Sequence, residues 1–196
     1  MPYLFKLHYQ NNSYPSVEVL NMTKPSIKKK DVQVLRELLK DSSRSDREIA
    51  KTVGASQPTI SRIRKRLLQT GAIRSFSAIP NFSKMGFKLM ALTFVKIKHE
   101  FSNHQTRNEG HTKAQEWLKN QPNVIFSDYC RGLDMNAFSI SLHFSYHDFE
   151  EFIKKHNQDI GHNILELETV LVDLSSNSQI KPFDFSSLAD LKKLEK

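Results

Sequence analysis

Fourteen lysines and arginines fall between Lys24 and Arg74 against five acidic residues, a net of +9 in a 196-residue chain whose total formal charge is +8. The rest of the chain is therefore close to neutral, and the basicity belongs to one segment. Cations gathered in this way neutralise phosphates and release their counterions, the chemistry of a nucleic-acid surface; a solvated helical face is the alternative that charge alone leaves open. Within the segment, Gln57, Thr59, Ser61 and Arg62 carry donors and acceptors of the kind that read base edges. Arg64, Lys65, Arg66 and Arg74 are long cations suited to phosphate oxygens. Arg62 and Arg66 are also candidates for ion pairs with a carboxylate such as Glu48 or Glu37.

Three helices must position these side chains. Val32, Leu35, Leu38 and Leu39 recur at helical spacing until the polar run Asp41, Ser42, Ser43. Ser45 and Glu48 have the spacing of a capping box and open a second helix with Ile49, Ala50 and Val53 inward, ending at Gly54. Ser56 offers a new N-cap, and Pro58 sits in a first turn, where its missing N–H costs nothing. The third helix starts near Gln57 with Ile60, Ile63 and Leu67 on one face, which turns Pro58, Ser61, Arg62, Lys65 and Gln69 outward. Two short helices joined by about three residues, the second basic, make a helix-turn-helix. Gly71 closes the third helix, and the alternation from Ala72 to Ile79, before Pro80, predicts a wing strand.

The second half reads as a different domain. Leu89–Ile97, Val124–Tyr129, Ala137–Phe144 and Ile164–Leu174 predict strands, and Thr112–Lys119 and His147–Asp159 predict helices. Phe138, Ile140, Leu142 and Phe144 alternate with Ser139, Ser141 and His143, so one face of that strand is expected to be buried. Arg131, Gly132, Leu133 and Asp134 form a tight turn. The order βαββαβ predicts an α+β, ferredoxin-like sandwich: four antiparallel strands with two helices on one face. Phe94, Phe126, Phe138 and Phe144 are too many large apolar groups for all to lie under two helices, which predicts a partner subunit over the other face.

The run Ser45, Glu48, Ile49, Ala50, Gly54, Ser56, Thr59, Ile60, Arg62, Arg66, Leu67, Gly71 and Ile73 resembles the DNA-binding half of the leucine-responsive/asparagine regulator (Lrp/AsnC) family. One departure is visible: the family's apolar residue two positions after the match to Arg62 is replaced here by apolar Ile63 and charged Arg64. The likeness extends over roughly residues 28 to 175. It implies a winged helix-turn-helix followed by the family's regulation-of-amino-acid-metabolism module, which dimerises through its sheet and assembles into higher even oligomers. It further implies sequence-specific binding of double-stranded DNA in transcriptional regulation. A small effector such as an amino acid would bind near the loop matching Gly132 and Asp134. The expected layout is an N-terminal extension (1–25), the winged helix-turn-helix (26–80), the sandwich (86–176) and a C-terminal tail (177–196).

Other readings are set beside this one. A sequence-tolerant chromosomal architectural protein would share the basic module and differ in its ratio of specific to non-specific affinity. Siroheme decarboxylases resemble the same two-domain family, and Arg131, His143 and His147 are the residues that would serve such chemistry. The absence of a paired acid and base, a nucleophile elbow or a glycine-rich phosphate loop argues for a non-enzyme without a cofactor. Cys130 is the single cysteine, which excludes an intramolecular disulfide, and it is expected to be buried at a strand end. His99, His104 and His111 lie in a long polar stretch and are expected to be solvated rather than metal ligands. With no apolar run of membrane or signal-peptide length, the protein is expected to be soluble and cytoplasmic. Tyr3, Leu4, Phe5, Leu7 and Tyr9 are compatible with an added strand or with an unstructured tail. Leu188, Leu191 and Leu194 predict a short amphipathic helix that could pack on a partner subunit.

Overall fold

The computed structural model describes residues 27–98, 113–176 and 180–191. The expectations for residues 1–25, for His99, His104 and His111, and for Leu194 fall outside these. The chain forms two compact units: one of residues up to Ala78 together with Asp184 onward, the other of Ile79–Phe183.

In the first unit, α1 (Lys29–Lys40), α2 (Asp46–Val53) and α3 (Gln57–Gln69) enclose a core of Val34, Leu38, Ile49, Ala50, Ile60, Ile63 and Leu67. Each helix contributes its apolar stripe, and burying those stripes stabilises helices too short to persist alone. Gly71 lies at φ +73° and turns the chain so that the amide of Ile73 donates to the carbonyl of Leu67. Ala72 and Ile73 then pack on the core. The wing strand expected over Ala72–Ile79 does not form: two of its apolar residues are drawn into the helical core, and residues 74–80 have no regular structure and no ladder partner among the described residues.

The C-terminal segment also belongs to this unit. Asp184 Oδ1 accepts from the amide of Ser186 at 2.9 Å, starting a single 3-10 turn, Ser186–Asp190. That turn packs on α1, burying Ala189, and Arg36 Nη2 donates to the carbonyl of Leu191 at 3.2 Å. The amphipathic helix expected here is thus one 3-10 turn, and within the chain it covers α1 of its own unit.

The second unit is the expected sandwich. Its elements are β1 (Leu89–Ile97), helix α4 over residues 113–119, β2 (Val124–Gly132), β3 (Met135–His143), α5 (Tyr146–Ile160) and β4 (Ile164–Asp173). The strands lie in the order β2-β3-β1-β4, all antiparallel. Helices α4 and α5 meet through Trp117, whose ring is 5.4 Å from Phe152 and whose Nε1 donates to Asp159 at 2.6 Å.

The faces of the sheet are assigned differently from a simple apolar-inward reading. The buried side of β3 is the polar one: Ser139, Ser141 and His143 lie under α5, with His143 edge-on to Phe149 at 5.4 Å and tilted against Phe152 at 5.2 Å. The apolar set points to the open face, where Phe94, Phe126 and Phe138 form an aromatic row. One end of that face is closed by Phe82, Phe87 and Leu174 around Leu142. Phe144, beyond the strand, stacks on Phe87 at 4.4 Å. The rest stays uncovered in a single chain, leaving Phe126, Val170 and Val172 between 41% and 56% exposed.

Candidate nucleic-acid interface

The recognition geometry starts with the turn between α2 and α3. At the start of α2, the Glu48 amide donates to Ser45 Oγ and the Ser45 amide donates to Glu48 Oε2 at 2.8 Å, a reciprocal capping box. Gly54 closes the helix at φ +64°, a left-handed conformation that other L-residues adopt at a cost. Ser56 then opens α3 in an extended conformation, its hydroxyl 2.8 Å from that of Thr59. Ile60, Ile63 and Leu67, all 3% exposed or less, fix the rotation of α3 about its axis. Gln57, Arg62, Lys65 and Gln69 consequently face solvent, with Ser61 and Thr59 half-exposed beside them. The departure from the family pattern has a direct result: Ile63 takes the core position, and Arg64 is carried to the flank.

Electrostatics divides the cations into two groups. Arg66 Nε donates to Asp31 Oδ2 at 3.1 Å and Nη2 donates to Oδ1, a two-point pair that joins α3 to α1. The hydrogen bond it donates to Asp31 raises the Arg66 pKa, and Asp31 is 2% exposed. Arg64 Nε donates to Asp46 Oδ1 at 2.9 Å and Nη2 to the Arg44 carbonyl at 2.8 Å, while its guanidinium lies 5.3 Å from the centre of the Phe76 ring. Glu37 holds Lys40 at 3.0 Å and Arg44. Burial pushes the Glu37 pKa up, but the hydrogen bonds from Lys40 and Arg44 outweigh it and leave the carboxyl below its usual range.

These contacts revise the expected pairings. Arg66 is paired with Asp31 rather than with Glu48 or Glu37, because Glu48 is committed to its capping box and Glu37 to Lys40 and Arg44. Arg64 and Arg66, expected chiefly at phosphates, are tied within the domain. Arg62, Lys65 and Arg74 are exposed and make no ion pair among the described residues. Sequence reasoning missed Asp31 as the partner of Arg66, since periodicity carries no information about pairs 35 residues apart. The only available signal was an acidic residue at the edge of an apolar stripe.

In the sandwich, the turn at the end of β2 is a two-residue hairpin with Leu133 and Asp134 at φ +53° and +58°, flanked by the pair Gly132 and Met135. The Asp134 carboxylate meets Lys96 of β1, and that hydrogen bond raises the Lys96 pKa. Gly132 and Asp134 thus stand at one end of the sheet, with Asn136 Oδ1 accepting from the Ile97 amide at 3.0 Å nearby. Of the residues weighed for enzymatic chemistry, His143 is wholly buried, its Nε2 2.8 Å from Ser141 Oγ, whereas His147 is exposed on α5. They do not share a solvent-accessible site. Cys130 is half-buried in β2, and burial pushes its thiol pKa up. Among the described residues, no group of three or more His, Cys, Asp or Glu is placed to hold a metal, and no helix is long and apolar enough to cross a membrane.

Comparison with known proteins agrees with this geometry. Residues 27–74 match the family described as winged helix-turn-helix DNA-binding. The leucine-responsive regulatory protein of Rhizobium meliloti is 37% identical over 70 residues, 36% of this chain and 45% of that protein. The chain thus spans about half the length of that relative. An uncharacterized HTH-type transcriptional regulator of Pyrococcus furiosus is 36% identical over 116 residues, 57% of this chain and 78% of that protein. The fold of a Neisseria meningitidis transcriptional regulator solved in complex with L-Met superposes with a TM-score of 0.67 at 16% identity, covering 79% of this chain and 93% of that one. With a basic helix-turn-helix, a ferredoxin-like sandwich and a relative matched across both, the chain belongs to the Lrp/AsnC family.

Proposed function

We propose that the protein is a sequence-specific DNA-binding transcriptional regulator that acts as a dimer or larger even oligomer. The observation that carries this reading is the outer face of α3: Gln57, Arg62 and Lys65 are solvent-exposed on a helix whose other face is locked in the core. The N-terminal half of the helix enters the major groove, with Gln57, Thr59, Ser61 and Arg62 at base edges and Lys65 and Arg74 on phosphates. Arg64 and Arg66 hold the helix in place through Asp46 and Asp31, reaching phosphates only secondarily. A regulator of this kind works in the compartment that holds the DNA, the cytoplasm.

The uncovered aromatic row on the sheet supports a partner subunit, and a symmetric pair reads two half-sites, which one small module cannot do tightly. The hairpin carrying Gly132 and Asp134 is the place for a small effector. The Neisseria regulator's complex with L-Met makes an amino acid the class to try first. The relatives are named as regulators, and the burial of His143 speaks against a decarboxylase site at Arg131, His143 and His147.

The test is binding to the DNA upstream of the protein's own gene against random competitor at two salt concentrations. A phased footprint that survives competitor and salt is the expected result. Binding that collapses with salt equally on both DNAs supports an architectural protein instead.

A further inference from the structure

The first helix begins against its own dipole. Lys28 is its N-cap, Lys29 and Lys30 are its first two residues, and all three are exposed. Ammonium groups at the positive end of a helix are locally unfavourable, and lysine has no side-chain acceptor for the orphan amides of the first turn. Asp31, at the third position of the helix, accepts from the Lys28 amide at 3.3 Å, but it is buried and bonded to Arg66, and the three ammonium groups themselves face solvent. A local rule broken this way points to a partner outside the chain.

Geometry indicates where that partner lies. Lys30 Nζ donates to the carbonyl of Gly54 at 3.2 Å, in the turn that precedes Ser56, the N-cap of α3. The start of α1 therefore flanks the end of α3 that carries Gln57, Thr59, Ser61 and Arg62. We propose that Lys28 and Lys29 form a phosphate-binding rail that holds the DNA backbone beside the groove entered by α3, with Lys30 fixing the rail to the helix-turn-helix. This rests on the DNA-binding reading above and extends it to a helix that reading does not use. The rail also supplies cations in place of Arg64 and Arg66, whose charges are engaged inside the domain.

The experiment is a salt titration of DNA binding by the full chain and by its Lys28→Gln, Lys29→Gln double variant, on the upstream duplex and on random duplex, with thermal unfolding of both proteins. Removing two charges that oppose the dipole is expected to leave the melting temperature unchanged or slightly higher. Affinity is expected to fall roughly tenfold on both duplexes near physiological salt, with the slope of log K against log salt shallower by nearly two. A folded double variant that keeps the full slope, or loses affinity on one sequence only, overturns the rail. A parent chain with no salt-dependent binding overturns the DNA-binding reading itself, and the rail with it.

Discussion

Asp31 and Arg62 separate two roles that the sequence presents as one cluster of charge. Asp31 lies at 2% exposure and holds Arg66 by two hydrogen bonds, so Asp31→Asn leaves the guanidinium without its counter-charge at a partly closed site. The Arg66 side chain is 41% exposed and turns partly to water, which moderates the loss to about 2 kcal/mol. A drop of that order in the unfolding free energy of the full chain, by urea denaturation, checks the assignment; an unchanged value would show that the pair contributes only at the surface. Arg62→Ala should leave stability untouched, because the side chain is exposed and has no ion pair or hydrogen-bond partner among the described residues. If Arg62 reads a guanine, specific binding weakens by ~1–3 kcal/mol while random DNA is bound almost as before. Equal losses on both duplexes would make it a phosphate contact. The types and spacing in α3 were enough to separate the exposed face from the buried one, because a period of 3.6 is written in the sequence. Which cations are spent internally was not, because Asp31 and Asp46 meet Arg66 and Arg64 only after three helices have packed.

At the scale of elements, the hairpin joining β2 and β3 departs from its usual chemistry. Leu133 and Asp134 both occupy the left-handed region, the conformation of a two-residue turn that favours Asn and Gly, and Leu133 is 79% exposed. Leucine bears a steric cost there of roughly 1 kcal/mol that glycine or asparagine avoids, and so little of its surface is covered that removing it loses little packing. Leu133→Asn is therefore expected to raise the stability of the chain by up to about 1 kcal/mol in denaturant titration. A destabilised variant would indicate that the side chain has a packing partner in the oligomer. The turn itself was legible from Arg131, Gly132 and Asp134, but its register was set by the pairing of Gly132 with Met135 across the ladder. The wing and the C-terminal helix were the misread elements, and for a common reason. Ala72–Ile79 and Leu188–Leu191 have strand-like and helix-like spacing, yet the core of the first unit takes Ala72 and Ile73, and α1 takes the tail as a single 3-10 turn. Local pattern yields to tertiary burial when a segment is short. Ala189, 2% exposed beneath that turn, provides the check: Ala189→Asp should detach the tail and lower the melting temperature, and an unaffected melt would place the tail outside the cooperative unit.

For the whole molecule the decisive groups are two buried histidines, His143 of β3 beneath α5 and His156 on the inner side of α5 itself. Burial pushes the pKa of His143 down, with the charge of Asp148 opposing it from 3.7 Å; burial likewise pushes His156 down, against a hydrogen bond to Asn157 Oδ1 and the charge of Asp159. A base whose pKa is lower folded than unfolded takes up a proton more readily when the chain opens. The stability it contributes is therefore complete above the unfolded value near 6.5 and is lost as pH falls through the lower folded value. With both histidines acting, the unfolding free energy should start to fall below about pH 6.5, ahead of any carboxylate. Glu37, whose pKa is lowered by Lys40 and Arg44 despite burial, adds a second loss only below the ordinary carboxylate range near 4.5. The two stages belong to different units, the sandwich first and the helix-turn-helix later. Thermal unfolding at pH 7.5, 6.0, 5.0 and 4.0, repeated with His156→Gln to remove one of the two histidines, separates them. The variant should lose stability less steeply below pH 6.5, and a parent chain equally stable from pH 7.5 to 5.0 would mean that the histidines are not sealed as the structure has them.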